Sequence, residues 1–242
     1  MRGRRNDAVI CTKFGHGGPN GEDFSIAGLR ASLKGSLQRL QTDYVDLFLL
    51  HNPPSGLLDG SEATALYEEL ECRQRSGQVR AFGASIDLAS DLQRLAETTS
   101  SQAAEVLFNA FLQDTRRAFP TATENELGLI AKVPLDSGWL SGKYTAQSRF
   151  DGIRDRWSKE DIARRASLVE KLRELLPAGL PLAQAALRFI LSHKEITTVI
   201  PGTKSLHQLE ANLAAAEPLP AEYVTAIHRL WEDEIAERPL PW

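Results

Sequence analysis

The strongest hydrophobic run in the chain covers residues 45–50, where only Asp46 interrupts a series of apolar side chains. A strand-length run that is apolar on successive positions, not alternate ones, is typical of a parallel sheet covered by helices on both faces. His51, Asn52 and Pro53 follow directly and end the run. We therefore expect His51 at the carboxyl end of a buried strand, where α/β folds bind ligands and carry out chemistry.

Other segments repeat this pattern and alternate with helical ones. Residues Ile26, Leu29, Leu33, Leu37 and Leu40 recur every three or four positions, which is the spacing of one helical face. The same reasoning predicts the remaining elements. Strands are predicted at 8–15, 79–84, 104–108, 129–133 and 196–200, and helices at 61–77, 88–95, 115–127, 162–176, 181–192, 205–215 and from 220 onward.

Alternation of strands and helices predicts right-handed βαβ units around a parallel sheet. The sequence has no low-complexity segment and no hinge-like linker, so we expect a single domain over residues 1–242. The predicted strands number six. A closed (β/α)8 barrel, the TIM-barrel type, needs eight, so the pattern predicts an incomplete barrel that is two βα units short.

Composition excludes some classes of protein but does not indicate a reaction. The chain has 242 residues, 42% of them hydrophobic and 25% charged, and a net charge of -4. These values favour an ordinary globular protein without a nucleic-acid partner, and the absence of a long apolar run or signal-type start favours a cytoplasmic location. Cys11 and Cys72 show no metal or redox spacing and are expected to be buried free thiols. The five histidines show no ligand spacing, so no metal is expected.

Five separated motifs agree on one family. They are TKFG at 12–15, the run from 40 to 51 that ends in His51, GQVRAFGAS at 77–85, the loop at 134–144 and IPGTKS at 200–205. In this order and at similar spacing they resemble the aldo-keto reductase family. The resemblance covers nearly the whole chain.

This resemblance implies a (β/α)8 barrel that uses NADPH, or less often NADH, to reduce carbonyls to alcohols. It also implies that the chain begins at the family's third barrel strand, because residues 1–5 are similar to the arginine-rich linker before that strand. The family's catalytic aspartate and tyrosine would then belong to the first two strands, which are expected to be missing.

Carbonyl reduction requires hydride delivery to carbon and a proton donor aimed at the developing oxyanion. In the family a tyrosine donates, tuned by a lysine and a histidine, and the resemblance assigns these two catalytic roles to Lys13 and His51. The alternative is that Lys13 is a surface lysine and His51 a structural histidine. The sequence offers no evident substitute for the tyrosine. Tyr44 precedes its strand at the opposite end, and the remaining tyrosines lie in predicted outer helices or in a loop without a proton-donor role: Tyr67, Tyr223 and Tyr144.

The resemblance also assigns residues to the cofactor. Ser85 matches a residue that touches the nicotinamide carboxamide, and Glu105 stands where the family often has a glutamine for the same amide. Asn109 matches the family's Tyr-Asn position, and Lys132 occupies a position that is aromatic in many members and basic in others. A loop folding over the pyrophosphate is expected to contain Pro134, Leu135, Gly138, Leu140 and Gly142.

The segment after the last strand is expected to bind the adenosine end of the cofactor. Free backbone N–H groups at a helix N-terminus form an anion site, and Lys204 adds a positive charge. Ser205 is expected to cap that helix whether or not it also binds phosphate. The resemblance extends the set to Gly202, Lys204, Ser205, Gln208 and Asn212.

Two functions remain open from the sequence. The first is an aldo-keto reductase that acts on a small-molecule aldehyde or ketone with NADP, or possibly NAD. The second is a truncated, catalytically inactive protein that binds nicotinamide nucleotide or serves as an interaction module. Binding of NADPH without carbonyl reduction would favour the second.

Overall fold

The computed structural model describes residues 3–16, 21–61, 63–152 and 155–241. Residues 1 and 2 of the arginine-rich start and residues 17–20 of the first loop lie outside the described residues. The six predicted strands are present, with bounds shifted by a few residues. They form one sheet in the order β1 (Cys11–Phe14), β2 (Val45–His51), β3 (Val79–Ile86), β4 (Ala103–Leu107), β5 (Gly128–Lys132) and β6 (Ile196–Val199).

Helices separate these strands, as the periodicity predicts. The longest, α5, has a capping box at its start, in which Ser158 and Asp161 bond each other's backbone N–H groups. Short 3-10 turns lie at Arg5–Asp7, Ser55–Leu58, Asp114–Ala118 and Asp136–Ser141. The helices are α1 (Ile26–Leu40), α2 (Thr64–Arg75), α3 (Ala89–Thr98), α4 (Phe119–Glu124), α5 (Lys159–Leu175), α6 (Leu182–Leu191), α7 (Leu206–Leu213) and α8 (Ala221–Glu234).

The described contacts cluster into two compact units. The first contains residues 1–106 and 117–129, and the second contains 107–116 and 130–242. Large apolar side chains fill the interior of each. Phe48, Leu50 and Phe82 are fully buried in the first unit, and Trp139 and Phe189 are fully buried in the second.

Strand register in the first unit aligns the expected site residues. Strands β1 to β4 pair in parallel, with Lys13 opposite Leu49, His51 opposite Ser85, and Ser85 opposite Glu105. His51, Ser85 and Glu105 therefore form one row across three neighbouring strands. Because alternate residues of a strand face the same side, Leu49 shares the face of His51, and its partner Lys13 lies on that face too.

Several local expectations are confirmed and two are wrong. Ser205 caps α7 through its hydroxyl, and Gly77 follows α2 with a φ of 77°. The sequence also favours Asp87 as the cap of the helix at 88–95, because an aspartate directly precedes its apolar face. This prediction is wrong, because α3 begins at Ala89 with Leu88 as N-cap, and the Asp87 carboxylate accepts a hydrogen bond from the Asn52 amide at 3.0 Å.

The expectation of buried thiols is also wrong, since Cys11 and Cys72 are both exposed. Cys72 lies outside the buried stripe of α2, and Cys11 begins the first strand of the sheet order. Across the described ranges, no helix combines the length and apolar character needed to span a membrane.

Candidate active site

An ion pair between Lys13 and Glu105 forms the centre of the site in the first unit. The Lys13 Nζ atom lies 2.9 Å from Glu105 Oε2. Strands β2 and β3 separate the two residues in the sheet order, so the pair crosses one face of the sheet. Glu105 is 4% exposed, and the Lys13 side chain is 26% exposed. A buried carboxylate needs such a cation, because desolvation of an unpaired charge is costly.

Ser85 and His51 complete this row of side chains. The buried Ser85 hydroxyl donates to the other carboxylate oxygen of Glu105, at 3.4 Å. His51 is the last residue of β2 and is exposed at the carboxyl end of the strand. The structure thus brings together both predicted catalytic residues and two of the predicted nicotinamide contacts.

His16 is a further neighbour of this row, and none of the sequence motifs includes it. Its ring stands edge-on to His51, with ring centroids 5.0 Å apart, and its Nδ1 lies 3.6 Å from Glu22 Oε1. Its position immediately after the lysine-bearing strand was the available signal, because residues after strand ends gather at one edge of a parallel sheet.

Two tyrosines are described in the first unit, and the contacts of both hydroxyl and ring groups are with residues other than Lys13. The Tyr44 ring lies between the guanidinium groups of Arg5 and Arg80, which are 3.8 and 4.2 Å from its centroid, as expected for the opposite end of β2. The Tyr67 hydroxyl donates to the Leu57 carbonyl at 3.0 Å, and burial raises the pKa of that phenol. Neither phenol is placed beside Lys13.

In the second unit, Asn109 organises the backbone around the end of β5. Its amide nitrogen donates to the Val133 carbonyl at 2.9 Å, and its side-chain oxygen accepts from the N–H groups of Phe111 and Leu112. Lys132, the last residue of β5, is buried. Asn109 is therefore satisfied by the protein itself, and its role here is to hold two chain segments.

A buried ion pair anchors the loop at 134–144 to α5. Asp136 and Arg165 form a fully buried ion pair with 3.0 Å between Oδ2 and Nε. Leu140 is also fully buried, whereas the backbone at Gly138 and Gly142 takes positive φ angles of 103° and 76°. The φ angle of Gly142 lies in the left-handed region, which favours glycine, and a Cβ there would also displace the end of the Arg173 side chain, 2.5 Å away.

The arginine of this ion pair corrects one interpretation of the sequence. From the sequence alone, the adjacent basic residues Arg164 and Arg165 indicate a solvated helix face. For Arg165 this prediction is wrong, because its side chain is fully buried and donates to the Pro241 carbonyl at 2.7 Å. The signal was present, because Arg165 precedes Leu168 and Leu172 at helical spacing on the buried stripe of α5.

The segment at 200–212 has the features of an anion site at a helix start. The Ser205 hydroxyl accepts from the Gln208 N–H at 3.2 Å, and the Gln208 side-chain oxygen accepts from the Lys204 N–H at 2.7 Å. Lys204 and Gly202 are exposed, and Asn212 lies one turn beyond Gln208 on α7. The cap thus already satisfies some of the backbone donors, and Lys204 presents its charge to solvent.

A parallel sheet alternating with helices, with lysine, histidine and carboxylate side chains at the carboxyl ends of its strands, is typical of α/β barrel enzymes. A comparison with known families makes this class specific. The chain belongs to the aldo/keto reductase family, whose model matches residues 1–232.

Individual relatives agree with this assignment. The oxidoreductase YqkF of Bacillus subtilis is 24% identical over 97% of this chain and 74% of its own length. The human aflatoxin B1 aldehyde reductase member 2 is 31% identical, and the match covers 88% of this chain and 66% of the relative. The Schizosaccharomyces pombe protein named aldo-keto reductase yakc [NADP(+)] is 26% identical, with the same two shares.

A solved structure has the same fold. The holo form of aldo-keto reductase AKR11C1 from Bacillus halodurans superposes with a TM-score of 0.80 at 26% identity, covering 99% of this chain and 78% of that one. The chain therefore spans between two thirds and about four fifths of the length of these proteins.

Proposed function

We propose that this chain is an NADP(H)-dependent oxidoreductase that reduces small-molecule aldehydes or ketones to alcohols, or catalyses the reverse reaction. The observation that carries the proposal is the row of His51, Ser85 and Glu105 with Lys13 paired to Glu105 at 2.9 Å. Membership of the aldo/keto reductase family supports it, as do the names of relatives that act on an aldehyde or bind NADP.

The chemistry follows from donors at the strand ends. A nicotinamide cofactor, when bound, supplies the hydride for the carbonyl carbon. Lys13 and His51 would direct N–H groups toward the carbonyl oxygen, where negative charge develops in the transition state, and one of these groups would transfer its proton to that oxygen and regain one from solvent. Glu105 holds the Lys13 ammonium in place through the ion pair, so that the lysine is a fixed donor and not a mobile surface charge.

Ser85 and Glu105 would also bind the carboxamide of the nicotinamide. A carboxylate only accepts hydrogen bonds, so Glu105 would take the carboxamide N–H group, whereas a glutamine could either accept or donate. The buried Ser85 hydroxyl is near enough to Glu105, at 3.4 Å, to share this task.

The second unit supplies features that fit the phosphate groups of a dinucleotide. Glycines allow a phosphate to approach the backbone closely, and the start of α7 favours negative charge. We assign the pyrophosphate to the loop containing Pro134, Leu135, Gly138, Leu140 and Gly142, with Lys132 before it. We assign the adenosine phosphate to Gly202, Lys204, Ser205, Gln208 and Asn212. Lys204 favours NADP over NAD.

We also propose that the six strands correspond to the third to eighth strands of the family's (β/α)8 barrel and that residues 1–242 belong to one domain. The cytoplasmic location stays a prediction from the sequence.

The test compares binding with turnover. NADPH binding is measured by fluorescence titration, and NADPH oxidation is followed with a panel of aromatic and aliphatic aldehydes and ketones. Lys13→Met should lower kcat on the best substrate by about 100-fold or more, because a donor to the oxyanion is lost, while changing the NADPH Kd less than about 3-fold.

The matched control is Lys34→Met, which removes an exposed lysine on α1 and should leave both constants unchanged. Failure of the intact chain to bind NADPH would refute the proposal. Retention of wild-type turnover in Lys13→Met would refute the role of Lys13.

A further inference from the structure

Two histidines of the second unit face each other through the same ring nitrogen. His193 follows the C-terminal end of α6, and His228 lies within α8. Their Nε2 atoms are 3.2 Å apart, and the rings meet at 79°. The Phe189 ring packs against both imidazoles, with centroids 4.9 and 5.3 Å away. Both nitrogens are half-buried, so this contact is favourable only if one of them carries a hydrogen and donates it to the other.

The first ring has a fixed tautomer. His193 Nδ1 lies 2.9 Å from the carbonyl oxygen of Phe189 and 3.2 Å from that of Ile190. A carbonyl oxygen only accepts hydrogen bonds, so this Nδ1 carries a hydrogen. When His193 is neutral, its Nε2 therefore has a lone pair and no hydrogen.

The second ring is fixed in the same way through an amide. The Gln113 Nε2 donates to the Ala110 carbonyl at 2.9 Å, which orients the Gln113 side chain so that its oxygen faces His228. His228 Nδ1 lies 2.7 Å from that oxygen and must donate to it. A neutral His228 thus also presents a lone pair at Nε2.

Two neutral rings in this arrangement would oppose their lone pairs at 3.2 Å, whereas one added proton turns the contact into an N–H···N hydrogen bond. We infer that His193 and His228 form a proton-binding site in which a single proton is shared between the two Nε2 atoms and the pair carries one positive charge at neutral pH. The inference does not depend on the proposed enzymatic function.

Burial opposes a charge on either ring taken singly. It lowers the pKa of His193, and together with the charges of Arg116 and His193 it lowers the pKa of His228 to about 4. The N–H···N bond between the rings opposes this lowering for the first proton only, because a second proton would leave no lone pair to accept the bond. Arg116 in turn lies 3.4 Å from Glu232, and Glu195 acts on His193 in the opposite direction. A charge already on one ring therefore keeps the other from binding its own proton. No third His, Cys, Asp or Glu joins them in a metal-binding group among the described residues.

The shared proton would tie three segments of the second unit together. His193 closes the end of α6, His228 belongs to α8, and Gln113 lies in the segment after β4. The unfolded chain cannot make this bond, so its stabilising effect is present below the ordinary histidine range near pH 6.5 and is lost as the pH rises through the value at which the folded pair releases its proton.

The first experiment counts the ring protons. The intact chain, labelled with ¹⁵N at histidine and stripped of metal ions, is studied by long-range ¹H–¹⁵N NMR at pH 7. We expect three protons on the two rings: both Nδ1 atoms protonated, and both Nε2 atoms with chemical shifts between the protonated and unprotonated values. Two neutral rings with one proton each would overturn the inference.

The second experiment uses variants. In His228→Gln, His193 should become neutral with an unprotonated Nε2, whereas His207→Gln, which changes an exposed histidine on α7, should leave the pair's signals unchanged. The thermal midpoint of the wild type should exceed that of His228→Gln by more at pH 6 than at pH 9. If the difference in thermal midpoint is the same at both pH values, the shared proton does not stabilise the contact between the three segments. The NMR count on the wild type decides the matter even if His228→Gln folds poorly.

Discussion

Replacement of Asp136 by asparagine removes one charge from the buried centre of the second unit while preserving the size and shape of the side chain. In the wild type the Asp136 carboxylate lies 3.0 Å from the Arg165 Nε atom, and both side chains are fully buried. Burial raises the pKa of Asp136, and the neighbouring guanidinium counteracts that rise. In Asp136→Asn the guanidinium of Arg165 stays buried without its counter-charge.

The expected cost follows from this geometry. Breaking a buried ion pair by removing one partner destabilises a protein by about 3–5 kcal/mol. Arg165 keeps its bond to the Pro241 carbonyl and its position 4.9 Å from the Trp157 ring, which favours the lower end, about 3 kcal/mol. At about 2–4 °C per kcal/mol for a chain of this size, the midpoint should fall by roughly 6–12 °C.

The assay is thermal and urea unfolding followed by circular dichroism. Lys171→Met is the control, since it breaks a half-exposed ion pair with Glu234 and should cost at most about 1 kcal/mol. The double variant Asp136→Asn with Arg165→Met should recover part of the loss, because the unpaired charge is gone. If Asp136→Asn unfolds within about 1 kcal/mol of the wild type, a buried ionic interaction does not hold the 134–144 loop and the reasoning fails.

Two further predictions concern pH and cofactor choice. Hydrogen bonds from Arg30 and Arg73 lower the pKa of Glu69 to about 2, so the stability from this carboxylate is complete above its unfolded value and is lost as the pH falls toward 2. Glu69→Gln should therefore show a smaller loss of stability between pH 5 and pH 2, and an unchanged pH profile by urea unfolding would contradict this. Lys204→Ala should raise the KM for NADPH several-fold relative to that for NADH, whereas Lys194→Ala, at another exposed lysine, should change neither, and equal effects of both variants would remove Lys204 from the phosphate site.

Periodicity predicted the elements because burial alone decides where apolar side chains recur. The stripe from Ile26 to Leu40 and the apolar run before His51 appear as a helix and a strand at nearly the expected bounds. The α/β fold with a parallel sheet is confirmed by the match to a solved family structure. Local hydrogen-bond competition is less visible in the sequence, which explains the failed cap at Asp87: Asn52, distant in sequence, contacts its carboxylate.

For the candidate site, the sequence predicted where the side chains lie along the strands but not which side chains they contact. Lys13 and His51 could be placed because strand ends are recognisable, and their assigned roles stay predictions. The pairing of Lys13 with Glu105 could not be predicted, since it joins side chains of β1 and β4, two strands that are not neighbours in the sheet. Arg165 was misjudged because charge normally indicates exposure, whereas its buried partner, Asp136, lies 29 residues away in the chain.

The left-handed backbone conformation after β5 affects how a ligand would bind there. Val133, Asp136 and Ser137 have φ angles of 54°, 43° and 54°, in the left-handed region that non-glycine residues enter at a cost of roughly 1–2 kcal/mol each. Such angles persist only where the surroundings enforce them, so this loop has few alternative shapes. A ligand that fits it would lose little affinity to loop ordering, and one of a different outline would find almost no room for adjustment. A rigid loop of this kind would distinguish between ligands by their shape. Glycine at these three positions would make the loop more flexible, so that it would accept more ligand shapes with less selectivity.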